Sequence, residues 1–265
     1  MFELELEARE KGKEASNASE ALSLVKRVVE SLSELVEQAE IKVSGRGMSI
    51  QVMDVMHVAL ADVFLPASMF TKYRCDRDLA IGVQLKTFVK ILKGMSLDGG
   101  GMFRLECDDS VSSLNVKNAR DGNSLNFKLK LFSSDSEAYN VPVLDFEATA
   151  SIPTDEFMYV PRLVGTFGDF VGIKAEPGRL VFFQTGEYAD ASMSFEECEG
   201  KELKIDVKEG VVQEIAMKYV NLIGKVAGMC KSMSISLGNG KPVFFNLLIG
   251  ESAYMKFYIA PKVEN

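Results

Sequence analysis

The sequence predicts an α+β fold made of two topologically similar domains, and two patterns carry that prediction. Polar and apolar residues alternate over many short segments, as in Phe2, Leu4 and Leu6 with glutamates between them, which is typical of strands with one buried face. Amphipathic helical segments interrupt the strands, and the order strand, helix, strands, helix, strands occurs twice. We therefore expect domains at 1–132 and 145–265.

The first half contains the more regular pattern. Residues 8–20 are polar and small, which favours an exposed loop, and a helix is predicted at 21–38 with valines and a leucine on one face. A second helix follows Gln84, because Leu85, Phe88 and Leu92 recur at helical spacing. Strands are predicted at 2–7, 41–43, 49–53, 57–64, 73–83, 102–107, 112–117 and 125–132.

A linker separates the halves. Residues 133–144 (SSDSEAYNVPVL) are small, acidic and interrupted by proline, which indicates a connecting loop. Beyond it, helices are predicted at 155–167 and 211–227. Strands are predicted at 146–152, 170–175, 180–185, 191–196, 203–207, 232–237, 242–249 and 253–260.

Composition is that of a globular intracellular protein. Apolar residues make up 47% and charged residues 26% of the chain, and neither a membrane-spanning apolar run nor a basic-then-apolar leader occurs in it, so we expect no membrane partner. The net charge of -8 argues against nucleic acid coating the whole surface. A local row of cations would still suffice to contact phosphates.

The sequence contains no pattern typical of a metal site, a catalytic nucleophile or a phosphate-binding loop. Four dispersed cysteines and one histidine predict no metal site and no cofactor. His57 is expected on a strand without a neighbouring Ser or Cys nucleophile, and the turns Gly45–Gly47 and Gly238–Gly240 lack the ending of a phosphate-binding loop. Asp108 and Asp109 are expected in a solvated turn. An enzyme using His57 is therefore the less favoured alternative.

Rows of cations are the better functional candidates. Lys86, Lys90 and Lys93 share one face of the second helix, where like charges repel and suggest an anionic partner, although a plain solvated face is the alternative. Lys218 and Lys225 lie seven apart on the predicted last helix. The other helices contribute Lys26, Arg27 and Arg162.

Four blocks of the sequence carry a resemblance. They read Met1-Phe-Glu, Met53-Asp-Val-Met-His-Val58, Tyr73-Arg-Cys-Asp-Arg-Asp-Leu-Ala-Ile-Gly-Val83 followed by Lys90-Ile-Leu-Lys93, and Lys256-Phe-Tyr-Ile-Ala-Pro-Lys-Val-Glu264. In this order they resemble the eukaryotic sliding clamps of DNA replication, the proliferating cell nuclear antigen family. Compared with that family, residues 8–20 look like an insertion.

The resemblance implies an architecture and a function. Three chains would close head to tail into a homotrimeric ring in the nucleus, with helices lining the hole, antiparallel sheets outside and duplex DNA inside. Such a ring is a processivity factor that binds DNA independently of sequence. It docks the replicative DNA polymerase, flap endonuclease, DNA ligase and the clamp loader through short peptide motifs. A subunit of a heterotrimeric checkpoint clamp is the alternative within this class.

The resemblance also assigns residues. It implies that Lys90, Lys93, Arg162, Lys218 and Lys225 lie where the family's helices are basic. Together with Lys26, Arg27 and Lys86 from the helix patterns, these are the predicted DNA-facing cations. The partner-peptide pocket, under the linker, is formed by Met53, His57, Val58, Leu60, Tyr139, Val141, Pro142, Pro242, Tyr258, Ala260 and Pro261.

Two departures from the family are visible. Tyr139 and Val141 stand where aliphatic residues are more common, so peptide preference is expected to differ. The turn Ala175–Gly178 has no counterpart of the family's modified lysine, since Lys174 is out of register.

Overall fold

A computed structural model describes residues 1–8, 13–133, 139–200 and 202–262. The predicted α+β class is confirmed, because antiparallel strands dominate and a few helices accompany them. Contacts divide the chain into two compact units: unit 1 comprises Met1–Val52 and Asp62–Tyr139, and unit 2 comprises Met53–Ala61 and Asn140–Asn265. The short segment Met53–Ala61 therefore belongs with the second half of the chain.

Unit 1 is organised around two rows of strands and two helices. The helices are α1 (Lys13–Leu35) and α2 (Leu85–Lys93). The strands, the third and fourth of which also contribute residues to unit 2, are β1 (Phe2–Ala8), β2 (Gln38–Ser44), β3 (Gly47–Met53), β4 (Ala59–Pro66), β5 (Lys72–Cys75), β6 (Leu79–Gln84), β7 (Gly101–Cys107), β8 (Ser113–Arg120) and β9 (Asn123–Lys130).

The strands of unit 1 pair in the orders β5-β1-β7-β8-β9 and β4-β3-β2-β6. In the first sheet, Phe2, Leu4 and Leu6 point to the core, whereas Glu3 and Glu5 line the other face with Arg104. The alternation predicted for residues 2–7 is thus confirmed. Helix α2 begins where the Gln84 side chain accepts the Thr87 N–H, and it buries Leu85, Phe88 and Leu92 as predicted.

Unit 2 contains three short α-helices and nine strands of its own among the described residues. The helices are α3 (Thr154–Phe157), α4 (Tyr159–Leu163) and α5 (Met217–Ala227). The strands are β10 (Ala148–Pro153), β11 (Phe170–Glu176), β12 (Arg179–Thr185), β13 (Asp190–Glu196), β14 (Lys204–Val207), β15 (Val211–Ala216), β16 (Ser232–Leu237), β17 (Val243–Ile249) and β18 (Ala253–Ile259).

These strands pair in the orders β14-β10-β16-β17-β18 and β13-β12-β11-β15. Phenylalanines fill the core of unit 2. The ring of Phe157 lies 6.0 Å from that of Phe182 and 6.4 Å from that of Phe245, and Phe182 lies 5.8 Å from Phe195. Each of these side chains is fully buried, so helix α3 is fixed against strands of both sheets.

The polar stretch at 8–20 was the least successful prediction. Ala8 ends β1, residues 9–12 lie outside the described residues, and Lys13–Leu35 is one continuous helix. The expected loop is therefore wrong from Lys13 onwards, and the helix predicted at 21–38 begins earlier and ends three residues sooner. Ala18 is buried on its inner side.

The predicted extents of two further helices are wrong. The segment predicted as helix 211–227 begins as strand β15, in which Val211, Gln213 and Ile215 alternate inward, and only Met217–Ala227 is helical. The helix predicted at 155–167 is broken into α3, α4 and a 3₁₀ turn at Val164–Thr166.

A proline accounts for the break. Pro161 has no N–H to donate to the carbonyl of Phe157, so a continuous α-helix loses a bond there. Phe167, the last residue of the predicted helix, is 46% exposed.

Two strand predictions also need correction. The strand predicted at 73–83 is two strands, β5 and β6, separated by the turn around Asp76. His57 is not on a strand, because β4 begins at Ala59. The linker 133–144 is described only in part, since residues 134–138 lie outside the described residues.

Candidate nucleic-acid and partner interfaces

A tight turn between β3 and β4 is built around the side chain of Asp54. The backbone closes it twice: Asp54 N–H donates to Ala59 O, and His57 N–H donates to Asp54 O, both at 2.9 Å. Asp54 Oδ1 also accepts the N–H groups of Val58 at 2.7 Å and Ala59 at 2.8 Å. His57 has a φ of 56°, which is unfavourable for most side chains, so this turn depends on its internal hydrogen bonds.

The other oxygen of Asp54 reaches helix α5. Asp54 Oδ2 accepts the hydroxyl of Tyr219 at 2.7 Å, and the two residues are only 6% and 3% exposed. Burial alone would raise the pKa of Asp54, but hydrogen bonds from Ala59, Tyr219 and Val58, with the charge of Lys218, outweigh it and hold the pKa below its usual value. Burial and this same bond raise the pKa of Tyr219, which stays protonated.

The turn presents apolar side chains to solvent. Val55 is 85% and Met56 is 72% exposed. The pocket predicted from the sequence includes neither residue, although two adjacent apolar residues in a turn indicate an exposed apolar patch. His57 beside them is also exposed, and the hydrogen bonds found at the Asp54 carboxylate come from Val58, Ala59 and Tyr219.

A row of aromatic rings runs across unit 2. Tyr258 on β18 stacks on Phe244 of β17, with centroids 4.6 Å apart, and Phe244 stacks on Phe146 at 5.8 Å. All three side chains are half-buried. The chain after β18 passes beside the turn, because Ala260 N–H donates to Val58 O at 2.8 Å. Tyr258 was predicted as a site residue, whereas Phe244 and Phe146 were not.

The remaining predicted pocket residues differ in accessibility. Met53, Val58, Val141, Pro242 and Pro261 are half-buried. Pro142 and Ala260 are exposed, whereas Leu60 is 8% exposed and offers little surface. We call residues 53 and 55–58 the docking turn, and these residues together with Val141, Pro142, Pro242, Tyr258, Ala260 and Pro261 the docking surface.

The last predicted pocket residue, Tyr139, belongs to unit 1 and is 42% exposed. Its backbone N–H donates to Gln51 Oε1 at 2.7 Å. Gln51 thus fixes the described end of the linker on unit 1, a role that the sequence did not reveal.

In unit 1 the predicted DNA-facing cations lie on two packed helices, α1 and α2. Lys86, Lys90 and Lys93 are all exposed on α2. Two of them are paired: Lys86 Nζ lies 3.2 Å from Glu37, and Lys93 Nζ lies 2.9 Å from Glu30. These acidic partners reduce the net charge of the row and were not anticipated.

The two cations of α1 differ from each other. Arg27 is exposed, whereas Lys26 is half-buried and its ammonium donates to the carbonyl of Met95. Burial lowers the pKa of Lys26, and the charge of Asp98 partly opposes that effect. Of the two, Arg27 has the better access to a large ligand.

In unit 2 the cations lie on α4 and α5, which are also in contact. Arg162, Lys218 and Lys225 are exposed, and so is Asn221 between the two lysines. Seven residues of helix separate Lys218 from Lys225 by about 10 Å along the axis. The ammonium of Lys218 also lies 4.6 Å from the ring centroid of Tyr219.

Each unit has an edge strand that leaves apolar side chains partly exposed. In unit 1 this is β9, where Leu125 is 49% and Phe127 is 39% exposed. In unit 2 it is β13, where Ala191 and Met193 are half-exposed. Within the described residues, no strand pairs with the outer side of either one. Such edges offer backbone donors and acceptors to another chain.

Comparison with known proteins agrees with these features. The model of the N-terminal domain of proliferating cell nuclear antigen matches residues 16–138, and that of its C-terminal domain matches residues 140–262. The chain therefore belongs to the proliferating cell nuclear antigen family. Proliferating cell nuclear antigen of Caenorhabditis elegans is 30% identical over 250 residues, covering 91% of this chain and 94% of that protein. The Chaetomium thermophilum protein of the same name is 28% identical over 251 residues, 92% of this chain and 96% of its own.

Membership of this family places the chain among DNA sliding clamps and identifies both halves as clamp domains. The N-terminal match begins at residue 16, so residues 1–15 lie outside it. Among the described residues, no group of three His, Cys, Asp or Glu side chains is close enough to hold a metal ion. Nor does any described helix have the length and apolar character needed to cross a membrane.

Proposed function

We propose that this chain forms a homotrimeric ring that encircles duplex DNA in the nucleus and acts as a polymerase processivity factor. Its domains would be 1–132 and 145–265, connected by 133–144. The observation that carries the proposal is the pair of open edge strands, β9 in one clamp domain and β13 in the other. Two different edges on one chain can pair head to tail, and such heterologous contacts close into a ring when the rotation is suitable.

The side chains at these edges support the same pairing. Leu125 and Phe127 lie on one face of β9, so a partner strand would cover an apolar surface as well as the backbone groups. On unit 2, Leu163 and Phe167 add exposed apolar area, 61% and 46% exposed. Burying such residues against a second copy would contribute roughly 25 cal/mol for each Å² of apolar surface removed from water.

The cations on the helices are suited to a sequence-independent ligand. Arg27, Lys90, Arg162, Lys218 and Lys225 are exposed, and lysine or arginine on a helix face contacts phosphates without reading bases. We propose that they and their paired neighbours Lys86 and Lys93 face the DNA. Lys26 is the weakest member of the proposed set because its ammonium already has a carbonyl partner.

The docking surface is the proposed site for partner proteins. A helical turn with one aliphatic and two aromatic residues would contact the half-buried Met53, Val141, Pro242 and Tyr258. Burial of each large side chain contributes about 1.5 to 3 kcal/mol, before the cost of ordering the peptide, so micromolar affinity is expected. Replicative polymerase, flap endonuclease, ligase and the clamp loader would use this surface in turn.

One experiment tests the ring directly. The purified chain is measured by sedimentation equilibrium, where a trimer has a mass of about 88 kDa against 29.2 kDa for one chain. The same sample is then loaded by a clamp loader onto circular DNA and the circle is cut. A trimer that stays on closed circles and slides off linear ones supports the proposal, whereas a stable monomer contradicts it. A chain that forms a trimer only with other clamp subunits would instead be a checkpoint subunit.

A further inference from the structure

The docking turn is held by a residue that lies outside the docking surface, Tyr219. Asp54 bonds the turn through Oδ1, and Oδ2 is held by the hydroxyl of Tyr219 at 2.7 Å. Tyr219 belongs to α5, the helix that also carries Lys218 and Lys225. One buried carboxylate therefore connects the partner-docking turn to a helix with the proposed DNA-facing cations.

We propose that Tyr219 and Asp54 form a positioning pair, which fixes the docking turn on helix α5 and so sets the affinity for partner peptides. The inference rests on the proposed docking function. Neither residue would touch the peptide, because both are buried, at 3% and 6% exposed.

The docking turn holds a conformation that it would not favour by itself. His57 holds a left-handed backbone, and Val55 and Met56 expose large apolar side chains to water. Neither feature favours this conformation in an isolated segment. Hydrogen bonds to the buried side chain of Asp54 must therefore stabilise this conformation. The bonds from the N–H groups of Val58 and Ala59 to Asp54 Oδ1 form only while the carboxylate keeps its orientation.

Tyr219 supplies that orientation. A carboxylate can rotate about its terminal torsion, and a hydrogen bond from a second, rigid group selects one rotamer. Tyr219 is confined because its side chain is only 3% exposed, on a helix that packs closely on α4. A methyl group placed on the Cα of Gly224, five residues further along α5, would lie only 3.3 Å from Pro161 of α4. The charge of Lys218 also favours the ionised carboxylate.

The test is a Tyr219→Phe variant of the full chain, which removes one oxygen atom. A labelled peptide with one aliphatic and two aromatic residues in a helical turn serves as the probe. We expect Kd to rise about three- to tenfold, the range that corresponds to one buried hydrogen bond. We also expect the amides of Val58 and Ala59 to exchange hydrogen faster, because their acceptor is no longer oriented.

Tyr73→Phe is the matched control. The hydroxyl of Tyr73 also donates one hydrogen bond, to Ser44 O at 2.8 Å, and that bond lies within unit 1. This variant makes the same chemical change and should leave both Kd and the exchange of the two amides unaltered. The same loss of affinity in both variants would indicate general destabilisation and overturn the positioning role.

A double-mutant cycle separates positioning from bulk stability. Asp54→Asn alters the oxygen that Tyr219 reaches, and if the two residues act through each other, the double variant should bind no more weakly than the poorer single variant. Additive losses would contradict the pair. If Tyr219→Phe does not fold, the Asp54→Asn variant decides alone, and unchanged Kd with unchanged exchange overturns the inference.

Failure of the proposed function looks different. Wild-type protein that does not bind the peptide refutes the docking surface, whereas wild-type binding with an unaffected Tyr219→Phe variant refutes only the positioning pair. The salt dependence of DNA binding should be the same in Tyr219→Phe and wild type, because the variant keeps every cation. A changed slope would mean that the substitution disturbs α5 itself and would overturn the proposed local role.

Discussion

The ammonium of Lys93 lies 2.9 Å from the carboxylate of Glu30, so helix α1 already neutralises one lysine of the α2 row. Lys86 is paired similarly, 3.2 Å from Glu37. Lys90, between them, has no carboxylate partner among the described residues. The row is therefore less positive than its sequence suggests, and its members are expected to contribute unequally to phosphate binding.

The Lys93–Glu30 ion pair predicts how the salt dependence of DNA binding changes when the glutamate, and not the lysine, is substituted. Glu30→Gln should release Lys93 and steepen the dependence of log K on log salt by up to about 0.9 for duplex DNA. Lys90→Ala combined with Lys93→Ala should weaken processive synthesis and make the slope shallower by about 0.9 for each phosphate that is no longer neutralised. Titration of a labelled duplex at several salt concentrations measures both effects.

A lysine elsewhere provides the control for that titration. Lys204 is exposed on β14 and is not among the proposed DNA contacts, so Lys204→Ala should leave the slope as it is in wild type. Equal slopes in wild type, Glu30→Gln and the double alanine variant would show that the α2 row is merely solvated.

Strands were predictable from this sequence wherever one face is buried and the other is exposed to solvent. Residues 2–7, 102–107 and 253–260 show that alternation, and each is a strand. Strand β15 was missed because its middle inward residue is Gln213, a polar side chain that is buried at 7% exposure and bonds to Lys241 O and Gly238 N–H. A pattern based on apolar residues cannot anticipate such a buried, satisfied amide.

The start of α1 was missed because it lacks an apolar face. Its first turns are polar nearly all round in sequence, and among residues 16–20, whose side chains the structure describes, only Ala18 is buried, so no apolar stripe marks the helix. Helix formation there relies on residues such as alanine and glutamate with high intrinsic propensity, continued from the amphipathic part that follows.

The candidate sites could be assigned residue by residue only through the family resemblance. The sequence does not encode in any local pattern that Glu30 pairs with Lys93, that Gln51 fixes Tyr139, or that Tyr219 reaches Asp54. These contacts join residues far apart in the chain, 63, 88 and 165 positions respectively for the three pairs. Only the folded chain brings them together.

Ring closure is predicted to depend on the two edge strands. Proline at Leu125 on β9 or at Met193 on β13 removes a backbone donor and should yield monomers. Sedimentation at micromolar concentration measures the result. Lys204→Pro is the matched control, because it places proline on another edge strand, β14, that is not part of the proposed interface. Trimers in both test variants would locate the interface elsewhere.

Peptide docking is predicted to depend on Val58 and Tyr258. Val58→Ser with Tyr258→Ala should abolish binding of the aliphatic and aromatic peptide while the trimer and its sliding on DNA persist. The double change removes an apolar side chain and the ring that stacks on Phe244. Tyr254→Ala is a suitable control, since it removes a half-buried tyrosine four residues away on the same strand. Equal peptide binding by wild type and the double variant would contradict this docking surface.

The exposed tip of the docking turn makes a separate prediction. Val55→Ser with Met56→Ser should weaken peptide binding several-fold without lowering stability, because both side chains are largely in water in the free protein. Calorimetric titration and a thermal melt of the same samples measure the two quantities. Val212→Ser, at a residue of β15 that is 54% exposed, controls for the loss of surface apolar area. Unaltered affinity would exclude the tip from the peptide interface.

The stability of the protein should depend on pH, because the pKa of Asp54 is lowered in the folded chain. A carboxyl whose pKa is lower in the folded than in the unfolded chain stabilises the fold fully above the unfolded value, about 3.9 for aspartate, and this contribution is lost as pH falls through the folded value. Wild type should therefore exceed Asp54→Asn in unfolding free energy by roughly 1 to 3 kcal/mol at pH 7, as expected for a hydrogen-bonded buried charge.

That difference should persist at pH 5 and shrink only below the ordinary aspartate pKa, where the unfolded chain binds a proton that the folded chain does not, until Asp54 is protonated in the folded protein as well. Urea unfolding at one fixed protein concentration measures it, since trimer formation would otherwise shift the midpoint. Asp206→Asn, at an exposed aspartate of β14, is the control and should change stability little at any pH. A gap between wild type and Asp54→Asn that stays constant down to pH 3 would show that the charge of Asp54 is not its source, and that only the shape of the side chain supports the turn.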